Sequence, residues 1–308
     1  MTGLEVGMIG IVALFAAILM GANVMVALGA VGAAGLATLV GVKGATAMLS
    51  TVFFDTTHSF HFSVIPLFLL MGFFAMRAGL GEDMFEATTK WLGNIKGGLA
   101  ISTTMGAAAF GAASGSSVGT ATVFTKLALP EMLARGYDKR LASASIAIAG
   151  TLAVMIPPSA LVVVYGILTD SSIGGLLVAG VIPGVIFAVI LCFATYITVL
   201  RNPALAPVIK TEATFREKIF ALRLAGPLLF VIICIISGLY LGVFTPTEAG
   251  GIGAGLTFIL AIVRQRGIKG LKLTDTLMDT IRTSGMIFAI IICALVFSKF
   301  LALSGVAN

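Results

Sequence analysis

Charge in this sequence is gathered into short islands, and the stretches between them are apolar and about as long as a bilayer is thick. The islands are residues 77–96, 126–140, 201–223 and 264–282, and together they hold 17 of the 19 lysines and arginines. The other connections, residues 41–61, 170–174 and 244–250, hold a single basic residue, Lys43. Only 10% of the 308 residues are charged and 59% are apolar, where a soluble domain carries roughly 25% charge. A soluble globular protein and a disordered chain are excluded. The net charge of +6 is no nucleic-acid surface either, because its position is explained by topology: basic loops stay in the cytoplasm. The chain reads as an all-α polytopic membrane protein of about eight spans. They lie near residues 5–20, 23–41, 63–77, 141–169, 175–200, 224–243, 249–263 and 283–303. Every basic island then falls on one side, the cytoplasmic one, and the N-terminus falls outside.

One stretch cannot be a span. Residues 97–125 carry no charge, yet they begin and end at basic islands. Two full crossings need roughly 40 residues at ~1.5 Å per residue, and this stretch has 29. Two legs of about 12 residues reach only ~18 Å, midway across. The spacing predicts a re-entrant helical hairpin with its tip over residues 111–117. A second irregularity follows in the span 141–169, where Pro157 and Pro158 remove two backbone donors and break the helix.

A hairpin tip and a helix break at similar depth make one small polar site. Ser114, Ser116, Ser117 and Thr120 offer hydroxyls, and a helix N-terminus offers free amides that favour an anionic group. Carbonyls before Pro157, with Gly150, Thr151 and Val154 one to two turns earlier, offer oxygens to a hard cation such as Na⁺. Discontinuous helices of this kind serve secondary transporters. The alternative is that the Ser-Gly cluster only packs a helix crossing.

Other features point elsewhere. Thr245-Pro246-Thr247-Glu248 has the form of a capping box with proline at the helix start, an ion-relay Glu248 being the alternative. Asp138 is placed to cap the helix that follows it. His58 and His61 fall in an outer loop without a set of metal ligands. Residues 78–96 suit an amphipathic arm along the cytoplasmic surface, with Trp91 at the headgroups. Cys192, Cys234 and Cys293 lie in apolar runs without metal spacing. No phosphate-binding glycine loop, carboxylate pair or nucleophile–base pair is visible, so neither ATP hydrolysis nor another enzyme activity is expected.

Residues 1–200 form a first unit that begins outside, residues 201–223 a cytoplasmic linker, and residues 224–308 the start of a second unit that begins inside. Units of opposite orientation are what an inverted repeat requires. A second hairpin and a second broken helix are expected next, and the sequence stops at Asn308 before either. We expect it to be part of a longer chain.

Several segments, taken in order, resemble a known family. They are Ile65-Pro66-Leu67-Phe68-Leu69-Leu70-Met71-Gly72, Ser114-Gly115-Ser116-Ser117-Val118, Ile156-Pro157-Pro158-Ser159 with Tyr165-Gly166, and Ser172-Ile173-Gly174. Ala179-Gly180, Pro183-Gly184 and Phe244-Thr245-Pro246-Thr247-Glu248-Ala249-Gly250 complete the set. The set resembles the large membrane subunit of tripartite ATP-independent periplasmic (TRAP) transporters of the dicarboxylate- and sialate-uptake type. The resemblance implies an inverted-repeat, elevator-type fold in the bacterial inner membrane, driven by a Na⁺ gradient. It implies a small four-span membrane partner and a periplasmic binding protein that delivers an organic acid. It also implies that Ser114, Gly115, Ser116, Ser117, Thr120, Pro158 and Ser159 line the substrate site. Ser114, Ser116, Gly150, Thr151, Val154 and Pro157 are its candidate Na⁺ ligands, partly through carbonyls. Two positions depart from the pattern: Ala153 stands where glycine is expected, and Gly119 where alanine is usual. A single-component anion carrier and a non-transporting scaffold are the competing readings.

Overall fold

In the computed structural model, residues 2–207 and 214–306 are described, and they are helical almost throughout, with no strand among them. The helices are α1 (Gly3–Leu19), α2 (Val24–His58), α3 (Val64–Arg77), α4 (Leu80–Leu92), α5 (Gly98–Ser114), α6 (Ser117–Ala134) and α7 (Lys139–Met155). They continue as α8 (Ala160–Leu168), α9 (Ile173–Arg201), α10 (Phe215–Tyr240), α11 (Pro246–Arg264), the single turn α12 (Ile268–Leu271) and α13 (Leu273–Ser304). Six helices are long and apolar enough to cross a bilayer, or seven if α7 and α8, bent by 44°, make one broken span. The expected crossing at residues 5–20 falls on α1, whose 17 residues reach about 25 Å.

The chain packs as two compact units. One contains residues 1–62 and 281–308. Its core is built on the buried Phe300 ring, which lies where Gly10 of α1 and Gly35 of α2 leave room: a Cβ on either glycine would come within 2.4 Å of the ring. The other contains residues 63–280. There α3 packs on α11, the hairpin α5–α6 packs on α7, and α4 lies against α5 and α10. Phe74, Phe85, Phe110 and Phe124 fill its centre.

Four boundaries differ from the sequence reading. Residues 42–58 are helical rather than an outer connection; only Gly41, with φ 77° and ψ 163°, interrupts α2. Thr46, Ser50, Thr51 and Thr57 there donate to carbonyls of their own helix, as Ser50 does to Thr46 at 2.9 Å and Thr57 to Phe53 at 2.7 Å, so polar composition did not prevent helix. His58 therefore ends a helix, stacked on Phe54. The hairpin legs have 17 and 18 residues, not about 12, because α6 runs on through Lys126 and Pro130 into the basic island. Its tip is also smaller, since residues 111–114 are helical. The expected linker is helical from Phe215, and its residues 208–213 lie outside the described ones.

Other expectations hold. Asp138 Oδ1 accepts from the Arg140 and Leu141 amides at 2.9 and 3.1 Å. Thr245 and Glu248 form the capping box of α11, the Glu248 carboxylate accepting from the Thr245 amide at 2.8 Å. Of the expected arm 78–96 only Leu80–Leu92 is helical, as α4, with Leu80, Met84 and Phe85 buried, and the Trp91 indole N–H, expected at the headgroups, donates to the Lys218 carbonyl at 3.0 Å.

Candidate functional site

The hairpin turns in two residues. Helix α5 ends on Ser114, Gly115 follows at φ 58°, and Ser116 caps α6. A left-handed residue at this point lets the chain reverse without a Cβ clash, which is why glycine stands there. Ser116 Oγ accepts from the Gly119 amide at 3.1 Å, and the first amides of α6 at Ser117 and Val118 have no acceptor within the helix. Ser114 and Thr120 are buried and share a hydrogen bond of 2.7 Å between their hydroxyls. That bond ties the last turn of one leg to the first turn of the other.

The break lies beside the tip. Helix α7 is regular to Met155, and Ile156, Pro157, Pro158 and Ser159 form the gap before α8. The Pro157–Pro158 peptide is cis. Because Pro157 and Pro158 carry no N–H, the carbonyls four residues back, on Ala153 and Val154, lose their helical donors. Ser159 heads α8 but makes no capping bond. Ser159 is 0% exposed, and its hydroxyl has no hydrogen-bond partner among the described residues. A buried hydroxyl left unpaired costs about 1–3 kcal/mol, so its retention asks for an explanation.

Close backbone approaches bring the two features together. A Cβ on Gly115 would lie 3.1 Å from the Pro158 carbonyl oxygen and 3.8 Å from the Ser159 Cα. One on Gly111 would lie 2.7 Å from the Ala153 Cα, and one on Gly150 3.1 Å from the Ser117 carbonyl oxygen. Gly150 therefore seats α7 against α6. Its carbonyl and that of Thr151 lie within the regular part of α7, whereas Val154 stands at the break. Thr151 is exposed, and its hydroxyl donates to the Ile148 carbonyl at 2.6 Å. Ser114, Gly115, Thr120, Pro157, Pro158 and Ser159 are buried at this meeting point, with Ser116, Ser117 and Val154 half-buried at its edge.

Sequence reasoning missed a third wall. Helix α3 meets the tip at Gly72, where a Cβ would be 2.6 Å from the Ser114 carbonyl oxygen. Beside it, Leu69, Phe73 and Met76 of α3 face Ser114, Ser116 and Gly119 across a cavity of about 20 Å³, room for roughly one water or small ion. A lone glycine within the apolar run of α3 was the available signal.

The site itself is uncharged. Two ion pairs between residues distant in sequence lie at the turn between α3 and α4. There Arg264 pairs with Asp83 and donates to the Ala78 carbonyl at 3.3 Å, and Arg77 pairs with Asp279 at 3.3 Å. Burial raises the Asp83 carboxyl above its ordinary value, against the hydrogen bond and charge of Arg264 that lower it. Burial likewise raises Tyr137, whose hydroxyl accepts from the Leu99 amide at 3.2 Å.

A helical hairpin closed on an interrupted helix, within a set of apolar helices long enough to span a bilayer, defines a multi-pass membrane protein with a discontinuous-helix centre. The family model described as "Tripartite ATP-independent periplasmic transporter, DctM component" matches residues 11–308. The chain belongs to this family, the large permease subunits of TRAP transporters, which are multi-pass proteins of the inner membrane. It is 32% identical to the C4-dicarboxylate TRAP transporter large permease protein DctM of Pseudomonas aeruginosa, over 82% of this chain and 58% of that one. It is 30% identical to the isethionate TRAP transporter permease protein DctMQ of Oleidesulfovibrio alaskensis, over 92% of this chain and 44% of that one. It is 34% identical to the ectoine TRAP transporter large permease protein TeaC of Halomonas elongata, over 74% of this chain and 52% of that one. The chain thus spans about half the length of these relatives, which are transporter permeases and not enzymes.

Proposed function

We propose that this chain is the hairpin-bearing part of a Na⁺-coupled uptake permease for an organic acid, a C4-dicarboxylate or similar carboxylate. In this reading a periplasmic binding protein delivers the substrate and a small four-span membrane subunit accompanies the permease. The observation that carries the reading is the fully buried, unpartnered Ser159 hydroxyl beside the Gly115 turn. A hydroxyl held there, together with the freed carbonyls of Ala153 and Val154 and the hydroxyl of Ser116, is a neutral oxygen set suited to a dehydrated Na⁺. Ser114, Thr120 and Pro157 shape that set, and Gly150 and Thr151 hold the helix that carries it. The free amides of Ser117 and Val118 supply a positive end for a carboxylate. Na⁺ bound here stiffens the tip against the break, and the carboxylate then closes on a formed site. Elevator movement of an inverted repeat completes the proposal, with residues 1–200 as its first half and residues 224–308 as the opening of its second.

The test is uptake by the full-length transporter in proteoliposomes. Ser159→Ala and Ser116→Ala are expected to raise the Na⁺ concentration for half-maximal uptake by about five- to thirtyfold, the loss of a ligand worth about 1–2 kcal/mol. Membrane insertion and the rate at saturating Na⁺ are expected to change little. An unaltered Na⁺ dependence in both variants would leave the Ser-Gly tip as packing only.

A further inference from the structure

A second concave feature lies away from the tip, between α5, α7 and α9. It is a groove of about 260 Å³ with Leu141, Ala144, Ile148, Leu191 and Ala194 along it. Four hydroxyls also line it, from Thr104, Ser145, Thr195 and Thr198. Each donates its only hydrogen to a carbonyl of its own helix: Ala100 at 3.1 Å, Ala142 at 3.0 Å, Leu191 at 2.9 Å and Ala194 at 2.8 Å. The groove therefore offers methyl and methylene surface and no free donor, which suits hydrocarbon and not a polar substrate.

The groove runs along the basic ends of all three helices. From Leu141 to Ile148 on α7, and from Thr198 back to Leu191 on α9, it extends ~10 Å from near the helix ends toward the bilayer centre. Arg140 directly precedes Leu141, and Arg201 ends α9 one turn beyond Thr198. Lys96 precedes Gly97, whose Cβ position is 3.1 Å from Val199 and 3.7 Å from Thr195. The Asp138 amide donates to the Leu205 carbonyl at 2.8 Å, which holds the start of α7 to the chain leaving α9. Lys96, Arg140 and Arg201 are exposed, and none has an acidic partner among the described residues. The acidic neighbours are already engaged: Asp138 caps α7, Glu131 pairs with Arg135 at 2.6 Å, and Glu217 caps α10. Lys139 and Arg140 also stand in the first turn of α7, where the helix dipole opposes cations. A general bias for basic cytoplasmic loops sets their sign but does not gather three helix ends around one apolar groove.

We propose that the groove holds an acyl chain of an anionic phospholipid of the cytoplasmic leaflet, with its phosphate among Arg140, Arg201 and Lys96. The proposal uses the orientation read from the basic islands and does not depend on the Na⁺ site. The test is native mass spectrometry of the full-length protein in mild detergent, titrated with phosphatidylglycerol and with phosphatidylcholine of the same chains. The wild type is expected to retain phosphatidylglycerol at least about tenfold more strongly. Arg140→Gln with Arg201→Gln is expected to remove the preference, whereas Ala144→Trp, which fills the groove from an exposed position, is expected to weaken both lipids. Arg135→Gln, which alters a basic residue already paired with Glu131, is expected to change neither. The proposal is overturned by equal retention of the two lipids in the wild type, or by a preference that survives the double substitution. Competition by inorganic phosphate that leaves the chain requirement undetectable would overturn it too, as would cross-linking of cysteine at position 144 to a protein helix in membranes.

Discussion

At the scale of single residues, the tip gathers neutral hydroxyls, and an acid whose titration folding shifts lies on the arm helix α4. Asp83 shows why a paired acid need not be a stabilising one. It sits in α4 against Arg264, largely shielded from solvent, and burial together with the charges of Glu86 and Glu82 raises its carboxyl against the lowering by the guanidinium. An acid whose folded value lies above its unfolded value binds protons more readily when folded, so its contribution to stability is present at low pH and is lost as pH rises through the carboxylate range. Wild type is thus expected to lose thermal stability relative to Asp83→Asn as pH is raised from below 3.8 to neutrality. Melting curves of both proteins in detergent across that range check this. A gap that moves the other way would mean that the attraction of Arg264 outweighs the burial. The hydroxyls of the tip were legible in the sequence because serine and threonine are conspicuous in an uncharged apolar stretch. Asp83 and Arg264 were not, because they lie 181 positions apart in the sequence and no local pattern joins them.

At the scale of elements, both irregular features were legible from elementary constraints. An uncharged stretch between two basic islands had to turn back, and two prolines had to break their helix, although the two legs reach ~25 and ~27 Å and not the ~18 Å expected. What could not be read was how far the legs continue. The charged residues at Lys126 and Glu131 do not end α6, since helix formation depends on backbone pairing and not on where charge resumes. The partner across the crossing was also hidden. Gly111 on α5 and Ala153 on α7 meet so closely that a Cβ on Gly111 would be 2.6 Å from the Ala153 Cβ. This accounts for an alanine at position 153, where the family resemblance leads one to expect glycine: the space is supplied from the other helix. Gly111→Ala is expected to cost about 1–3 kcal/mol through overpacking and to loosen the hairpin from α7. Ala153→Gly alone is expected to cost about 0.5–1 kcal/mol as a glycine within a helix. Combined with Gly111→Ala it is expected to recover part of the loss. Full recovery is prevented because the new methyl would still lie 2.7 Å from the backbone of residue 153. A double-mutant cycle on thermal unfolding measures the coupling; strict additivity would mean that the two residues do not share the space.

At the scale of the whole molecule, the distribution of charge makes a stronger claim than any one helix. Helix length and composition say which segments are able to cross, and they leave direction open. The 17 basic residues in four islands predict a direction, because moving a lysine- or arginine-rich loop across the membrane during insertion is disfavoured. The short loops at residues 170–174 and 242–245 lack basic residues altogether, and the turn at residues 135–140 carries three. In a variant with Cys192, Cys234 and Cys293 replaced by alanine, single cysteines at Ser171 and Val243 are expected to react with an impermeant maleimide added to intact spheroplasts. A cysteine at the exposed Lys139 is expected to react only after permeabilisation. The same measurement at Thr2 locates the N-terminus, for which an odd number of crossings before the arm at residues 78–96 requires the periplasmic side. Helix α1, which at 17 residues falls just short of the six segments long and apolar enough to cross, decides that parity. Labelling at Thr2 from outside, with Ser171 outside and Lys139 inside, means that α1 crosses; labelling at Thr2 from inside alone means that it lies along the surface and the count of crossings falls by one.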